Sequence, residues 1–324
     1  MVKRRKHVAA AFFALLAILG CSQAVLDRQS LSPNESVQAP VFEVDPMWPK
    51  PLPNHWLLGM TIGVHVDEQD NVWIGGNGEK DAHLLKFTKE GKFLLQMGKL
   101  GADKGSNDPE NFGRVAKIWV DPKTNEAYVA DGYKNKRVAV LDADTGKMKR
   151  YWGAYGNKPD DADLGKYDPA APLPKQFRNP VHCVERSNDG LIYVCDRQAD
   201  RIQVFKPDGS FVKEARFAPQ TLGSGSAWDV AFSKDPQQKY IYLADGTNEV
   251  VRVILRDSLQ EITNFGDGGR QPGQFYGVHS IATDSKGNIY TTETYEGKRL
   301  QKFVFKGVQQ VAAGDQGTPW PGAR

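Results

Sequence analysis

The sequence predicts an all-β protein built from five similar units, each with four short antiparallel strands. Short runs rich in Val, Ile, Tyr and Phe alternate with polar residues, and turn residues separate them, among them many of the 32 Gly and 19 Pro of the 324-residue chain. The same succession of runs returns about every 50 residues. Beyond residue 40 no stretch shows a sustained helical period. Repeated four-stranded units of this length are typical of the blades of a β-propeller, which stack radially around a channel.

The propeller is expected to extend over residues 58–313. One complete copy contains the runs 117–121, 127–131, 137–141 and 148–153, and equivalent runs occur before and after it. Residues 41–57 and the C-terminal tail 314–324 are too short for another blade, which takes roughly 40 to 50 residues. We expect residues 41–44 to form a closing strand and the Pro-rich stretch up to residue 57 to lead into the first blade. Either the ring has five blades, or a sixth is reduced to a strand or two.

The N-terminus has the pattern of a targeting segment. Four basic residues at positions 3–6 precede an apolar run at 8–19, which is too short for a permanent membrane span of roughly 20 residues. Gly20, Cys21 and Ser22 follow, as in a bacterial lipobox. We therefore expect a signal peptide over residues 1–20, lipidation of Cys21 and a flexible tether over 21–40. The alternative is an ordinary secretory signal cleaved after Ala24, which would leave a secreted soluble protein.

The charge of the mature chain argues against a nucleic-acid partner. Removing the four N-terminal basic residues from the 42 of the whole chain leaves 38 against 39 acidic residues, a net charge of −1. A near-neutral body lacks the basic footprint that binding to phosphate backbones requires. We expect a monomer that contacts the membrane only through the N-terminal lipid, in the periplasm or at the outer membrane.

Two cysteines remain in the body, Cys183 and Cys195, on either side of the turn at residues 187–190. Hairpin pairing would place them nearly opposite one another. We expect two buried thiols, because many cross-strand positions have poor disulfide geometry. A disulfide is the alternative that an oxidising compartment permits.

Several copies resemble NHL repeats. The resemblance rests on the stretch from Gln274 to Val278, on Asp284 with the run 287–290, and on Asp196 followed by the run 201–205. It implies the propeller fold that the repeats predict.

One position at the start of the innermost strand brings histidines into register. The five copies place there, in order, Ile62, Ala116, His182, Trp228 and His279. Two histidines in one slot around a single axis suggest a shared metal, and a third would complete a three-His zinc site with an open position. Ile62 occupies the remaining slot. His65 is three residues further on, and an odd offset along a strand points to the opposite face.

A second recurring position follows the acid that ends the second strand. The acids are Asp131, Asp196, Asp245 and Glu293. Because they recur, we expect them to cap loops. The residues after them differ from blade to blade. Tyr133 and Arg197 are therefore candidates for a site, and ordinary loop packing is the alternative for both.

Together these residues resemble peptidyl-α-hydroxyglycine α-amidating lyase, a six-bladed family. The resemblance implies a zinc ion bound by blade histidines, here His182 and His279, with Tyr133 as the base and Arg197 holding the carboxylate of a peptide ligand in the channel. The products would be a peptide amide and glyoxylate. Two departures are Ile62 at the third ligand position and Asn77 where the first blade would carry an arginine.

Two other classes remain open. A non-catalytic, envelope-anchored binding propeller would suit an altered metal triad. A calcium-dependent lactonase propeller would need Glu, Asn and Asp ligands that converge in the channel, and calcium is the alternative cofactor on that reading.

Overall fold

A computed structural model describes residues 36–46, 63–66, 72–75, 84–87, 93–99 and 101–321. These residues form β-strands joined by turns and loops. Their helical content is two short 3-10 turns, Ala154–Gly156 and Arg197–Ala199. No helix in the described ranges is long and apolar enough to cross a membrane. The all-β prediction is confirmed.

Four four-stranded antiparallel sheets and two strand pairs make up the architecture. The sheets follow the order β6-β7-β8-β9, β10-β11-β12-β13, β14-β15-β16-β17 and β1-β20-β19-β18, and the pairs are β2-β3 and β4-β5. The strands are β1 Ser36–Val44, β2 Gly63–Val66, β3 Val72–Gly75, β4 Leu84–Phe87, β5 Phe93–Met97, β6 Val115–Asp121, β7 Glu126–Asp131, β8 Arg137–Asp142, β9 Met148–Trp152, β10 Val181–Arg186, β11 Ile192–Asp196, β12 Arg201–Phe205, β13 Phe211–Arg216, β14 Asp229–Phe232, β15 Tyr240–Asp245, β16 Val250–Leu255, β17 Gln260–Phe265, β18 Val278–Thr283, β19 Ile289–Glu293 and β20 Leu300–Ala312.

Each sheet is one blade of a β-propeller, and the two strand pairs belong to the first repeat. The inner strands β6, β10, β14, β18 and β2 pack against one another in that order. The apolar core lies between neighbouring blades. Between the fourth and fifth blades, for example, it contains the rings of Phe42, Tyr242, Phe265 and Phe303. Radial packing of this kind buries both faces of each blade.

The last blade is completed by the N-terminal strand. β1 pairs antiparallel with β20 over residues 36–44, so it supplies the outer strand that the fifth repeat lacks. The predicted tether of residues 21–40 was therefore too long at its C-terminal end, because residues 36–40 pair with the end of β20. The tail also packs against this blade and its neighbour: Val44 N donates to Pro319 O (3.0 Å) and Gly266 N to Gly317 O (3.1 Å).

Cys183 and Cys195 form a disulfide, so the expectation of two buried thiols was wrong. The register of β10 and β11 places the two residues directly opposite each other, with Cα atoms 4.8 Å apart. That separation lies within the range that a disulfide can bridge. Both side chains are fully buried.

The recurring acids at the ends of the second strands are structural, as expected. Each carboxylate pairs with an arginine of the following strand and accepts a hydrogen bond from a backbone N–H of a loop. The pairs are Asp131–Arg137, Asp196–Arg201, Asp245–Arg252 and Glu293–Arg299. Buried charges need such partners, and here the pairs fix the loops at the end of the channel where the candidate site lies.

Candidate active site

The slot that carries the two histidines is a β-bulge. In β10 the register shifts between Val181 and Cys183, and in β18 it shifts between Val278 and Ser280. His182 and His279 are therefore the extra residues of their strands. A bulge leaves one residue unpaired and redirects its side chain, and bulges are common beside functional sites.

The two imidazoles meet at the channel end of the inner strands. The Nε2 atoms of His182 and His279 are 3.2 Å apart, and both rings are almost fully buried. Trp228, which directly precedes the intervening strand β14, packs edge-on against both rings, with centroid distances of 5.6 and 5.4 Å. The structure thus brings together the residues that the sequence places in one slot of three successive blades.

The tautomer of His182 follows from its partner. Its Nδ1 lies 2.6 Å from the carbonyl oxygen of Trp228, which can only accept a hydrogen bond. Nδ1 therefore carries the proton and Nε2 keeps a lone pair that points toward His279. Burial lowers the pKa of His182 well below its ordinary value, and the positive charges of Arg197 and Lys117 act in the same direction. The ring is neutral, as a metal ligand must be.

The hydroxyl of Tyr133 completes a triangle with the histidines. Its Oη is 2.9 Å from His182 Nε2 and 3.2 Å from His279 Nε2. Because His182 Nε2 has no proton, Tyr133 donates to it.

The loop that carries Tyr133 packs closely against the next blade and is hydrogen-bonded to it. A Cβ on Gly132 would lie 1.9 Å from the carbonyl oxygen of Val181, so only glycine allows this approach. The side-chain amide of Asn179 faces the carbonyl oxygens of Gly132, Lys134 and Asn135 at 2.9 to 3.0 Å. The next residue, Pro180, accepts a hydrogen bond from Arg197 N. One segment therefore positions both Tyr133 and Arg197.

Arg197 lies beside the triangle. Its guanidinium carbon is 4.3 Å from the ring centre of Trp228 and 5.8 Å from that of Tyr133. The side chain is 6% exposed, and its Nε is buried without a hydrogen-bond partner in the described ranges. A buried guanidinium with a free N–H is suited to an incoming carboxylate.

Opposing effects act on the Tyr133 phenol. Burial raises its pKa, while the positive charges of Arg197 and Arg114 act to lower it. The guanidinium carbon of Arg114 lies 5.5 Å from the ring centre. Burial is the larger effect, so Tyr133 is a neutral phenol in the protein alone. A cation beside its oxygen would favour the phenolate.

A second charged cluster crosses the inner strands. Lys117 Nζ of β6 is 2.6 Å from both Glu185 Oε1 of β10 and Asp229 Oδ1 of β14. The other oxygen of Asp229 accepts from Ile281 N of β18. Burial disfavours the ammonium charge, but the two carboxylates outweigh it and raise the pKa of Lys117. This cluster joins four inner strands next to the histidines.

Sequence reasoning missed several residues of the site. From the sequence, Trp228 was only one of the five residues at the recurring position. In the structure, its carbonyl oxygen orients the ring of His182. The repeat pattern did not single out Arg114 or Asn179, because both lie in loops before an inner strand. Of the predicted residues, Ile62 and Cys21 lie outside the described ranges. Within those ranges, no group of three or more His, Cys, Asp or Glu side chains could hold a metal.

Sequence comparison finds amidating enzymes among the relatives of this chain. No family model matches the chain. Over 182 residues, 55% of this chain, it is 28% identical to peptidyl-glycine alpha-amidating monooxygenase A of Xenopus laevis. Over 164 residues, 50% of this chain, it is 27% identical to the rat (Rattus norvegicus) peptidylglycine alpha-amidating monooxygenase. The chain is similar to peptidylglycine alpha-amidating enzymes. The matched regions span only 18% and 15% of those relatives.

Solved structures with a similar architecture include a virginiamycin B lyase. The Staphylococcus aureus protein is 13% identical, with 90% of this chain and 77% of that chain covered and a TM-score of 0.46. A streptogramin B lyase structure gives the same identity and TM-score over 91% of this chain and 77% of that one.

Proposed function

We propose that this propeller is a lyase that cleaves the C–N bond of a peptide ending in α-hydroxyglycine. The observation that carries the proposal is the triangle of Tyr133 Oη, His182 Nε2 and His279 Nε2, with all three sides at 3.2 Å or less. The names of the relatives describe amidation of peptidylglycine. Once the glycine Cα of such a peptide carries a hydroxyl, cleavage of its C–N bond releases the amide.

The two histidines fit a zinc ion. Two nitrogen ligands of tetrahedral zinc, at about 2.0–2.1 Å from the metal, are about 3.3 Å from one another. The Nε2 atoms of His182 and His279 are 3.2 Å apart, and the Nδ1 contact of His182 is the kind that orients metal-binding imidazoles. Calcium prefers oxygen ligands and suits this nitrogen pair less well. Zinc would lower the pKa of a hydroxyl group bound to it.

The side chains around the histidines can bind the substrate and move its protons. Arg197 would pair with the substrate carboxylate through its free N–H. Tyr133, as phenolate, would take the proton of the substrate hydroxyl. The hydroxyl oxygen then forms a C=O bond to its carbon, the C–N bond breaks, and the amide nitrogen receives a proton from Tyr133. The peptide amide and glyoxylate contain all the atoms of the substrate, so no oxidant is needed.

Glyoxylate release tests the proposal. The full chain, supplied with zinc, is incubated with a peptide ending in α-hydroxyglycine, and glyoxylate and peptide amide are measured. We expect equal amounts of both. Tyr133→Phe should reduce kcat at least about 100-fold, the usual size of a general acid–base contribution. Tyr151→Phe, which removes a hydroxyl whose contact is the carbonyl of Asn107, is the matched control and should keep full activity. Absence of glyoxylate with zinc present would refute the lyase.

Export to the cell envelope is part of the proposal. The disulfide between Cys183 and Cys195 supports it, because such bonds persist in oxidising compartments. Lipidation of Cys21 would then anchor the protein to the membrane. Radiolabelled palmitate should label the wild-type protein, and Cys21→Ala should abolish the label and move the protein to the soluble fraction. An unlabelled wild type would favour the secretory alternative.

A non-catalytic binding propeller is the second candidate. It is favoured by the count of ligands in the described ranges, where two histidines converge without a third acidic, cysteine or histidine group. In that case the protein would bind peptides with a free C-terminal carboxylate at Arg197. Peptide binding without turnover, and unchanged by removal of zinc, would distinguish it from the lyase.

A further inference from the structure

A cavity of about 580 Å³ opens between the fourth and fifth blades, away from the histidines. Its walls come from the turn at 233–239 after β14, the turn at 285–287 after β18, the outer strand β1 and its neighbour β20. Trp228 and His279 lie at the beginning of β14 and β18, whereas these turns follow their ends. The cavity is therefore on the opposite face of the propeller, and its size is typical of a small-molecule site.

The inside of the cavity is aromatic and includes the hydroxyl-bearing side chains of two tyrosines. Tyr240, Tyr242 and Phe305 line it, and Tyr242 packs edge-on against Phe42 at a centroid distance of 5.3 Å. Tyr242 is only 2% exposed, and it lines the cavity. A phenol hydroxyl can donate one hydrogen bond. A ligand that fills the cavity can accept that bond.

The rim of the cavity is positively charged. Lys234, Lys239 and Lys286 line it, and none of their ammonium groups has a carboxylate within 4 Å among the residues that the structure describes. Lys239 Nζ lies 5.4 Å from the ring centre of Tyr240. The one acid of the lining, Asp235, is held by its own turn: its carboxylate accepts from Lys239 N and from the hydroxyl of Ser233. The charge available to a ligand is positive.

We propose that this cavity binds a small anionic amphiphile, a carboxylate on an apolar body. The body would lie against Tyr240, Tyr242 and Phe305, and the carboxylate would accept a hydrogen bond from the Tyr242 hydroxyl and face the lysines. Charge complementarity selects an acid over a neutral or cationic molecule of the same shape. This site is independent of the histidine pair and of the proposed lyase.

Calorimetric titration of the full-length protein with decanoate tests the proposal, with 1-decanol and decyltrimethylammonium as probes of equal chain length. We expect decanoate to bind at least tenfold more tightly than either. Tyr242→Phe should weaken decanoate binding about tenfold and leave decanol binding unchanged. The triple variant Lys234→Gln, Lys239→Gln and Lys286→Gln should remove the preference for the acid.

Two controls make the result decisive. The variant Lys123→Gln, Lys158→Gln and Lys166→Gln removes three exposed lysines outside the cavity and should bind decanoate like the wild type. His182→Ala should do the same, because the histidines are at the other end of the inner strands. Equal affinity for the three probes, or equal decanoate binding by the two triple-lysine variants, would overturn the proposal.

Discussion

The Nε2 atoms of His182 and His279 are 3.2 Å apart, although the residues belong to alternate blades. The bulges in β10 and β18 turn both side chains toward the axis, and Trp228 fills the space between them. Two buried imidazoles at this distance lose little freedom when they bind one ion, since packing already fixes both rings.

Zinc affinity should therefore depend on both imidazole rings and, to a smaller extent, on the hydrogen-bond partners that orient these rings. His279→Ala should weaken zinc binding by at least about tenfold, or 1.4 kcal/mol. Ser280→Ala, which removes the hydroxyl 3.1 Å from His279 Nδ1, should have a smaller effect. Competition against a chromogenic chelator measures both. A wild type and a His279→Ala variant of equal affinity would contradict the shared site.

The sequence was sufficient to predict the slot but not its geometry. Repetition places His182 and His279 at one position of the blade, and this requires only a count of residues. The distance between the two imidazoles depends on the bulges and on the ring of Trp228. No single repeat encodes this combination. The hydrogen bonds of Asn179 and the stacking of Arg114 on Tyr133 come from loops that differ between copies. Periodicity therefore contains no information about these contacts.

Two further differences between the sequence-based predictions and the structure also have local causes. The disulfide depends on the register of β10 and β11, which a bulge shifts by one residue. The closing strand starts at Ser36 because polar residues on an outer strand can pair with the long β20, and such residues look like a tether in the sequence.

Arg197→Lys should weaken substrate binding more than it slows the reaction. Lysine keeps the charge but loses the planar set of donors that matches a carboxylate. We expect KM for the α-hydroxyglycine peptide to rise about tenfold, with a smaller change in kcat. A matched substrate whose terminal carboxylate is replaced by an amide should give similar KM values with both proteins. If the variant is equally impaired with both substrates, Arg197 does not bind the carboxylate.

Lys117→Met should destabilise the fold strongly. It leaves the buried Asp229 and the partly buried Glu185 beside each other without their cation, and the loss of one partner of a buried ion pair typically costs about 3–5 kcal/mol. Lys123→Met, at an exposed position, should change the free energy of unfolding by less than about 0.5 kcal/mol. Urea unfolding measures both.

The cost of Lys117→Met should also depend on pH. Burial already raises the pKa of Asp229 to about 6, against the charge of Lys117. Without the lysine this pKa rises further. Above this pKa, the folded variant must hold the buried charge of Asp229 next to the charge of Glu185. Below it, Asp229 takes up a proton that the unfolded chain, whose Asp pKa is ordinary, does not bind until lower pH. The destabilisation should therefore be larger at pH 8 than at pH 5. An equal loss at both values would show that Asp229 is not the group that responds.

The disulfide should stabilise both the fold and the site. It closes a loop with a sequence separation of 12, for which the chain-entropy estimate is about 3 kcal/mol. Cys183 directly follows His182 in β10. Cys195 directly precedes Asp196 in β11, and Arg197 is the next residue. The double variant Cys183→Ser and Cys195→Ser should unfold at lower urea concentration and bind zinc more weakly. Unchanged zinc affinity in the folded double variant would limit the role of the disulfide to stability.

Ile62→His should strengthen the metal site. Residue 62 lies outside the described ranges, but its position in the repeat corresponds to that of His182 and His279. The adjoining strand β2 packs beside β18, which carries His279. Two imidazoles leave a tetrahedral zinc ion with two positions for other ligands, whereas a third histidine gives the three-ligand set of catalytic zinc sites. We expect at least tenfold tighter zinc binding, about 1.4 kcal/mol, in a chelator competition against the wild type. Ile74→His, in the neighbouring strand β3, is the matched control and should leave the affinity unchanged. Equal affinities of Ile62→His and the wild type would show that position 62 does not reach the metal.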